Sequence, residues 1–541
     1  MSRPMDDTRG WRARPSLAPA PRPAGARRVA TAEAVIGSPP ASRTTLDDHP
    51  IRRQDWRMKT RPAQALLPIA LLAIVAGCGS TTPSPTGPAA TPTPIVAASA
   101  TPTSATPATA TPTPSGPAPS ATPAQSTAAD WPVYHLDAQR TGMAVGFPAP
   151  SGALSKVWTA KLDGAVYAEP LVVGGHIIAV TENDTAYALD PKTGAVLWSK
   201  HLDTPVRLST LPCGDIDPLG ITGTPAYDAA TGSVFMVAEE AGPHHVLYAL
   251  DASTGAVRWS RNVDISGDSP ITHQQRPALA VANGYVYIGF GGLAGDCGQY
   301  KGKVVGVPTS GSGGTIAYRV PVKREGAVWA TGGPVIDSSG NLYVSTGNGS
   351  STTSYDGSDS VIELSPTLQM IGRFAPSNWA SDNAQDLDLG STNPVLVPGG
   401  WVFQVGKRGT GYVMHQGALG GIGGQVSSAS VCGAYGGMAQ DGSTIYVPCR
   451  TAIRQVTIGA DGKLTVGWLT KSGVGGGPAV VGGGAVWSLN VANGHLYALD
   501  PATGAALASI SVGTLPHFAS PTLWGGQVLV GTMSGVVAIA P

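Results

Sequence analysis

The sequence "ALDPKTGAVLW", residues 188 to 198, is repeated along the chain, and this repetition indicates the fold. A near copy, "ALDASTGAVRW", occupies residues 249 to 259, and a diverged copy, "ALDPATGAALA", begins at Ala498. Each copy reads as an apolar strand, a turn of the form DxxTG, in which Asp and Gly favour chain reversal, and a second strand. The repetition indicates a fold assembled from one recurring unit.

A second recurring pattern fills the chain between these copies. It consists of a short apolar strand that begins near a Pro, a Gly-rich turn and a strand rich in Val, Ile and aromatic residues. It occurs eight times, starting at Pro170, Pro225, Pro277, Pro334, Pro394, Gly437, Pro478 and Pro521. Units of four antiparallel strands, whose apolar faces are buried only against neighbouring units, are typical of β-propeller blades.

The two patterns together predict an all-β fold, an eight-bladed β-propeller of four-stranded antiparallel blades. "KVWTAKL", from Lys156, resembles the outer strands of the blades but precedes the first unit, whereas the last unit ends after its third strand, "GVVAIAP". This N-terminal strand is therefore expected to be the outer strand of the last blade and to close the ring. Trp198, on another outer strand, is expected to pack between blades.

Composition agrees with a turn-rich β fold. The chain has 72 Gly and 47 Pro among 541 residues, only 13% of its residues are charged, and its formal net charge is zero. A neutral chain of this kind has no electrostatic preference for nucleic acid, so a nucleic-acid partner is not expected.

The propeller is predicted to extend from residue 130 to residue 541, after a long N-terminal region. Residues 1 to 57 are rich in Arg, Pro and Ala, and are predicted to be either a disordered extension or a misassigned start ahead of Met58. Residues 58 to 77 have the features of a secretory signal peptide, with two basic residues before a short apolar run.

The signal peptide is predicted to be of the lipoprotein type. "VAGC" resembles the lipobox of bacterial lipoproteins, which implies that Cys78 carries lipid. Residues 78 to 129 then form a lipid-anchored linker rich in Thr, Pro and Ala. About fifty such residues could hold the propeller at most ~150 Å from the membrane.

The repeats resemble those of the quinoprotein-like propellers built from pyrroloquinoline-quinone (PQQ) repeats, over residues 150 to 541. The "ALDxxTGxxxW" copies are similar to the tryptophan-docking motif of that family, although Ala508 replaces the Trp in the last copy. The resemblance implies the same eight-bladed fold. It leaves the function open, because the family contains quinone-dependent dehydrogenases and also lipoprotein scaffolds that assist outer-membrane assembly.

Four cysteines besides Cys78 are expected to form disulfides in an exported protein. In the blade register, Cys213 and Cys432 precede first strands, whereas Cys297 and Cys449 follow second strands, so all four are expected on one rim of the ring. We predict the pairs Cys213–Cys297 and Cys432–Cys449. Free buried thiols are the alternative.

Three segments resemble, in chain order, parts of the dehydrogenase site. "GAVWATGGPVIDSSGNLYVSTGN" is similar to a stretch whose Trp stacks on the quinone and whose Asn binds calcium, which implies these roles for Trp329 and Asn348. "QDLDLGS" resembles the segment that carries the catalytic base, here Asp388, which is also a candidate calcium ligand. "VGKRGTGYV" resembles the segment whose basic residue, here Lys407, contacts the reactive quinone oxygens.

Weaker matches extend the candidate site. Asp296, in "GGLAGDCGQYKG", lies where the dehydrogenases place a calcium-binding Glu, and Arg276, in "HQQRP", is a candidate for their carboxylate-binding Arg. His273 and His517 are expected to face the same funnel. Each candidate also has a structural interpretation, as a core aromatic residue, a turn, a loop brace or a solvated hairpin, and "PCGD" contains only one of the two adjacent cysteines of the dehydrogenases.

Two functions remain open. In the first, the chain is a PQQ-dependent dehydrogenase, an oxidoreductase that uses PQQ and calcium to oxidise an alcohol, a sugar or a polymer. In the second, it is a non-catalytic propeller that binds a polysaccharide or an envelope protein as a scaffold. Both place a monomeric protein outside the cytoplasm, in the periplasm or anchored by its lipid to the outer face of the cell membrane.

Overall fold

Strands dominate the computed structural model, which describes residues 129–541. Eight sheets of four principal strands each follow one another along the chain, and this is the predicted eight-bladed β-propeller. The predicted signal peptide, the lipid on Cys78 and the linker lie outside the described residues and remain predictions.

The blades are numbered along the chain, and their strands run from the axis outward. Blade 1 consists of Leu171–Val173, His176–Thr181, Thr185–Leu189 and Val196–His201, and blade 2 of Ala226–Asp228, Ser233–Glu240, His244–Asp251 and Val257–Asn262. Blade 3 consists of Ala280–Ala282, Tyr285–Gly292, Lys303–Pro308 and Ile316–Arg319, and blade 4 of Val335–Ile336, Leu342–Ser345, Val361–Leu364 and Met370–Ala375.

Blade 5 consists of Val395–Val397, Trp401–Val405, Thr410–His415 and Ser427–Ser430, and blade 6 of Ala439–Asp441, Thr444–Cys449, Ala452–Ile458 and Leu464–Leu469. Blade 7 consists of Ala479–Gly482, Ala485–Asn490, His495–Leu499 and Ala506–Ser511, and blade 8 of Pro521–Trp524, Gln527–Thr532, Gly535–Ala540 and Ser155–Lys161. Shorter strands lie beside blades 7, 3 and 4, at Met143–Ala144, His273–Gln274 and Gly421–Ile422.

Helices are short and confined to connections. They are the α-helix Trp379–Asn383 and the 3-10 turns Leu208–Thr210, Pro270–Thr272 and Leu389–Ser391. Within residues 129–541, no helix is long and apolar enough to cross a membrane.

The core lies between the blades. Seven of the eight residues of Ser233–Glu240, a second strand, are buried, whereas four of the six residues of the outer strand Val257–Asn262 are exposed. Inner strands are covered on both faces by neighbouring sheets, so their sequences are continuously apolar rather than alternating. For example, Tyr287 of blade 3 packs in one cluster with Leu342 of blade 4.

The DxxTG turn is held by its own Asp. Oδ1 of Asp190 accepts hydrogen bonds from the N–H groups of Lys192 and Thr193 at 3.0 and 2.9 Å, and from the Thr193 hydroxyl at 2.8 Å. Gly194 follows with a φ of 71°, a conformation that glycine adopts without the penalty of a side chain.

The glycine of the DxxTG turn also allows neighbouring blades to pack closely. A Cβ atom at Gly255, in the turn of blade 2, would come within 2.5 Å of the Trp198 ring on blade 1, so the indole lies directly against the glycine. The predicted packing of Trp198 between blades is therefore confirmed. The same stacking recurs in the pairs Trp158–Gly194, Trp259–Gly311, Trp401–Gly462 and Trp468–Gly504.

The N-terminal strand closes the ring as predicted. Ser155–Lys161 pairs antiparallel with Gly535–Ala540, the last strand of the chain, and so completes blade 8. Closure through both ends of the chain removes the open junction that a ring would otherwise have between its first and last blades.

Residues 131–144, here called the axial segment, cross the centre of the ring. Trp131 exchanges two backbone hydrogen bonds with Val172 of blade 1, whereas Thr141 O accepts a bond from Gln440 N of blade 6. His135 lies between them, with Nδ1 3.1 Å from Met438 O and Nε2 3.0 Å from Ser520 Oγ. The segment therefore links blades 1, 6 and 8 through the centre of the ring.

Candidate functional site

One end of the ring gathers the residues that precede first strands and those that follow second strands, and we call this end the funnel rim. The predicted disulfides Cys213–Cys297 and Cys432–Cys449 are both present, with Cα–Cα separations of 6.1 and 5.7 Å. The first joins the connections ahead of blade 2 and within blade 3. The long loops of this rim are thus fastened to a rigid ring, which suits a binding site.

Lys407 lies at the centre of the candidate site. Its Nζ is 2.7 Å from Oδ2 of Asp388 and 2.9 Å from Oδ1 of Asp386, and its side chain is 6% exposed. Burial alone would lower the pKa of Lys407, but the two carboxylates outweigh burial and raise that pKa above its usual value. The ammonium group therefore stays charged at any physiological pH.

Trp329 lies beside this ion pair. Lys407 Nζ is 5.7 Å from the centroid of the Trp329 ring, within the range of a cation–π contact. Gly347 separates the indole from the carboxylate, since a Cβ atom there would lie 2.7 Å from Asp388 Oδ1 and 3.2 Å from Trp329 Nε1. The structure therefore brings Trp329, Asp388 and Lys407 together although they are distant in the chain.

Asn348 joins the same group through its backbone. Its N–H donates to Asp388 Oδ1 at 2.6 Å, and the next N–H, of Gly349, donates to Asn383 Oδ1 at 2.7 Å. Beneath them, buried Asp359 accepts a bond from Leu389 N at 2.9 Å. Burial, with a contribution from the charge of Asp388, raises the pKa of Asp359 well above its usual value.

Asp296 lies on the same side of the funnel. The Tyr300 hydroxyl donates to Asp296 Oδ1 at 2.5 Å. Burial raises the pKa of Asp296, and the charges of Asp388 and Asp386 raise it further, whereas Lys407 lowers it. The same acidic residues act on Glu325, whose pKa is raised mainly by burial. Arg324, whose Nη1 is 2.9 Å from Glu325 Oε1, opposes this rise in the pKa of Glu325, so this side of the funnel contains a second cation besides Lys407.

Arg276 and His517 form the opposite wall. Arg276 Nη1 is 2.8 Å from His517 Nε2, and Asp215 lies 3.6 Å from both side chains. Phe518 connects the two walls, since its ring lies 5.7 Å from the Arg276 guanidinium carbon and 6.1 Å from the Trp329 ring. A flat anionic molecule would thus meet cations on both sides of an aromatic surface.

A recess of about 10 Å³, enough for one water-sized group, lies at the foot of this wall. Tyr134 of the axial segment, Tyr167, Thr331 and Phe518 are among its lining residues.

Sequence reasoning missed Phe518 and Tyr167, because neither lies in a segment that resembles the dehydrogenase site. It was also wrong about His273, which is 2% exposed and has Nδ1 2.9 Å from the Ser269 carbonyl.

The donors present are suited to a hard cation but do not enclose one. Among residues 129–541, no three His, Cys, Asp or Glu side chains are grouped so as to hold a metal ion. Carboxylate and amide oxygens are the ligands that calcium prefers, and it takes six to eight of them. A calcium ion beside Asn348 and Asp296 would therefore need further oxygens from a cofactor or from water.

Comparisons with known proteins agree with this fold. A family model described as outer membrane protein assembly factor BamB matches residues 134–216 and 220–416, just over half of the chain. Polyvinylalcohol dehydrogenase of Sphingopyxis sp. (strain 113P3) is 25% identical over 256 residues, which are 42% of this chain and 36% of that protein. The chain thus spans well under two thirds of the length of this relative.

Solved structures give the same architecture. Quinohemoprotein alcohol dehydrogenase ADHIIG from Pseudomonas putida HK5 has a TM-score of 0.60 and 14% identity, over 76% of this chain and 80% of that chain. BamB from Moraxella catarrhalis has a TM-score of 0.50 and 13% identity, over 72% of this chain and 99% of that chain. At these identities the likeness concerns the fold alone.

Proposed function

The chain belongs to the PQQ-repeat propeller family whose model is described as outer membrane protein assembly factor BamB, and on this premise we propose that its funnel is a quinone-dependent oxidation site. The substrate class is an alcohol, a sugar or a polymer that bears hydroxyl groups. Two disulfides support a location outside the cytoplasm, where thiols become oxidised. Anchoring through Cys78 and a monomeric state belong to the same proposal.

The observation that carries this proposal is the position of Lys407. Its Nζ lies 2.7 Å from Asp388 Oδ2 and 5.7 Å from the centroid of the Trp329 ring. A flat surface, a permanent cation and a carboxylate base are the groups that hydride removal from an alcohol requires. Each comes from a different connection of the rim, so their convergence depends on the packing of blades 4 and 5 against each other.

The residues fit a PQQ-type quinone. Trp329 supplies the stacking surface, Lys407 would lie at one edge of the ring system, and Arg276 at the far wall would hold its carboxylates. Gly347 favours the close approach of Asp388 to the indole, since any side chain there would fill the gap between them. A bound quinone would supply the acceptor for the electron pair that leaves the alcohol carbon.

Asp388 is proposed as the base that accepts the hydroxyl proton at Oδ2. Lys407 orients this carboxyl group through Oδ2, and the Asn348 N–H fixes Oδ1 from the other side. Asp386 retains the ammonium group by its own 2.9 Å contact after Asp388 has taken up the proton. The acid pair thus lets Lys407 remain in place throughout a cycle.

A second candidate, a non-catalytic binding propeller, is favoured by a different observation. Both oxygens of Asp388 already have donors, from Asn348 and Lys407, and the family description is that of an assembly factor. In this alternative the ion pair braces the rim, and a polysaccharide or an envelope protein binds above it. The two candidates differ in whether the protein takes up a quinone.

The test uses the purified full chain incubated with PQQ and calcium chloride. The proposal predicts reduction of an artificial electron-acceptor dye on addition of ethanol, 1-butanol, glucose or polyvinyl alcohol. Asp388→Asn should retain quinone uptake but lower the rate by about 100-fold or more, because it removes the base. Asp441→Asn, an exposed residue at the far end of blade 6, serves as the matched control. Absence of both quinone uptake and dye reduction in the unmodified protein would favour the second candidate.

A further inference from the structure

The axial segment hydrogen-bonds through its backbone to the inner strands of five blades, and blade 5 is not among them. Backbone N–H groups of the inner strands of blades 1, 2, 4, 6 and 7 donate to carbonyls of this segment at 2.8 to 3.0 Å, namely those of Val172, Tyr227, Ile336, Gln440 and Val481. Within residues 129–541, no backbone hydrogen bond joins the segment to Val395–Val397, the inner strand of blade 5. The inner strands of blades 3 and 8 also receive no backbone bond from the segment, but only that of blade 5 borders the cleft described next.

Leu396 is the residue of blade 5 that lacks this partner. In "PLVVGG" and "PVLVPGG" it takes the position that Val172 takes in blade 1. Val172 pairs with Ile177 on the next strand, and Leu396 pairs with Val402 in the same way. Alternate residues of an edge strand direct N–H and C=O away from the sheet, so Leu396 presents a donor and an acceptor to the axis.

A cleft of about 610 Å³ lies at this place, at the opposite end of the ring from the funnel rim. Leu136, Gln139 and Met143 of the axial segment form one side, and Leu396, Gln416 and Gln440 form the other. The volume is within the range of ordinary ligand sites. Leu396 thus lines the cleft although the residue as a whole is only 6% exposed.

The cleft has hydrogen-bonding groups but little charge. Gln440 is 5% exposed, and its Oε1 has no hydrogen-bond partner within the described part of the chain. The acidic residue of the lining, Asp137, is already bonded by the N–H of Thr141 at 3.1 Å. An occupant therefore needs amide-type donors and acceptors with uncharged side chains, and not phosphate or another charged group.

We propose that this cleft binds an extended, uncharged peptide segment of a partner protein, which adds as a strand to Val395–Val397. The axial segment gives the geometry within the same molecule, since Trp131 exchanges hydrogen bonds of 2.9 and 3.0 Å with Val172. Strand addition to an exposed edge uses main-chain bonds for affinity and flanking side-chain pockets for selectivity. Leu136 and Met143 supply such pockets here.

Amide hydrogen exchange on the free protein gives the first test. The Leu396 amide should exchange about tenfold or more faster than the amides of Val172 and Ile336, because only the latter have partners in the axial segment. Equal protection of the three amides would contradict the open edge and overturn the proposal.

Peptide addition gives the second test. The probe is acetyl-Ser-Val-Ala-Val-Ser-amide, and its control is the same peptide with both Val nitrogens methylated, which cannot donate to the strand. The unmodified peptide should slow exchange at Leu396, and the methylated peptide should not. Protection by maltohexaose without protection by the peptide would assign the cleft to carbohydrate and overturn the proposal.

A protein variant tests whether the peptide binds in this cleft. Gln139→Trp, at an exposed position of the lining, should fill the cleft and weaken peptide binding by about tenfold or more. Gln369→Trp, at an exposed position outside the cleft, should bind the peptide as the unmodified protein does. Equal affinity of the two variants would contradict binding in this cleft.

Discussion

Lys407 Nζ lies 2.7 Å from Asp388 Oδ2, and this contact joins the turn after the second strand of blade 5 to the connection that leads into the same blade. Both side chains are only 6% exposed. A buried ion pair is a weak source of stability in itself, but the loss of one partner leaves an uncompensated buried charge. The pair therefore serves to fix the position of the carboxylate beside Trp329.

Replacement of Lys407 tests how far the rim depends on this cation. Lys407→Met should destabilise the protein by about 3 kcal/mol, because it leaves the buried carboxyl group of Asp388 without its partner. The free energy of unfolding is measured by urea denaturation near neutral pH.

Two further variants separate charge from packing at this position. Lys407→Arg should lose clearly less stability than Lys407→Met, since it keeps the charge, and exposed Lys471→Met should lose almost none. An unchanged unfolding free energy in Lys407→Met would show that the ion pair does not hold the rim.

The docking of tryptophan on glycine predicts a steric effect. Gly255→Ala should destabilise the ring by about 2 to 4 kcal/mol, because its Cβ would come within 2.5 Å of the Trp198 ring and its φ is 72°. Gly284→Ala has a similar φ of 75° with no atom within 4 Å, so it should lose about 1 kcal/mol from backbone strain alone. Thermal unfolding of both variants measures the difference, and equal shifts would show that the indole contact is unimportant.

Glu182 predicts a pH dependence of stability. It is 2% exposed, and burial, with the charge of Glu239, raises its pKa to about 8 although the Gly220 N–H donates to it at 2.8 Å. The folded state therefore holds a proton that the unfolded state releases above about pH 4.5. The contribution of Glu182 to stability is complete below that pH and is lost as the pH rises through 8.

Glu182→Gln should remove this loss. The stability difference between the variant and the unmodified protein should move in favour of Gln by about 2 to 4 kcal/mol between roughly pH 5 and pH 8.5. Urea denaturation of both proteins at both pH values measures this change in the stability difference. Any effect of the substitution that does not depend on pH cancels in the comparison. A difference independent of pH would mean that Glu182 titrates normally in the folded protein.

The two disulfides should differ in their effect on stability. Cys213 and Cys297 are 84 residues apart, whereas Cys432 and Cys449 are 17 apart. Because a longer closed loop removes more chain entropy from the unfolded state, replacing the first pair by Ser should destabilise the protein by about 1.4 kcal/mol more than replacing the second. Calorimetry of the two double variants tests this order, and the reverse order would indicate strain or packing as the dominant effect.

Much of the ring could be predicted because its rules are local. The DxxTG turn, the apolar strands and the Trp at a fixed spacing from Gly194 or Gly255 each depend on a few adjacent residues. Repetition along the chain then fixed the number of blades and the register, and with it the pairing of all four cysteines. The closing strand at Ser155–Lys161 followed from the missing fourth strand of the last unit.

The contents of the funnel were less predictable, because they depend on contacts between distant segments. The contact of Lys407 with both Asp386 and Asp388 cannot be read from spacing, and neither can that of Arg276 with His517, 241 residues away. The axial segment has no strand periodicity, so its sequence, from Trp131, gave no sign that it would cross the ring.

An equilibrium titration of the purified protein with PQQ in the presence of calcium tests for the quinone site itself. We expect saturable binding of one quinone per chain, with an affinity that Trp329→Leu lowers about tenfold or more and that Trp524→Leu, at the opposite end of the ring, leaves unchanged. No saturable binding, or equal binding by the two variants, would contradict a quinone site at Trp329 and Lys407.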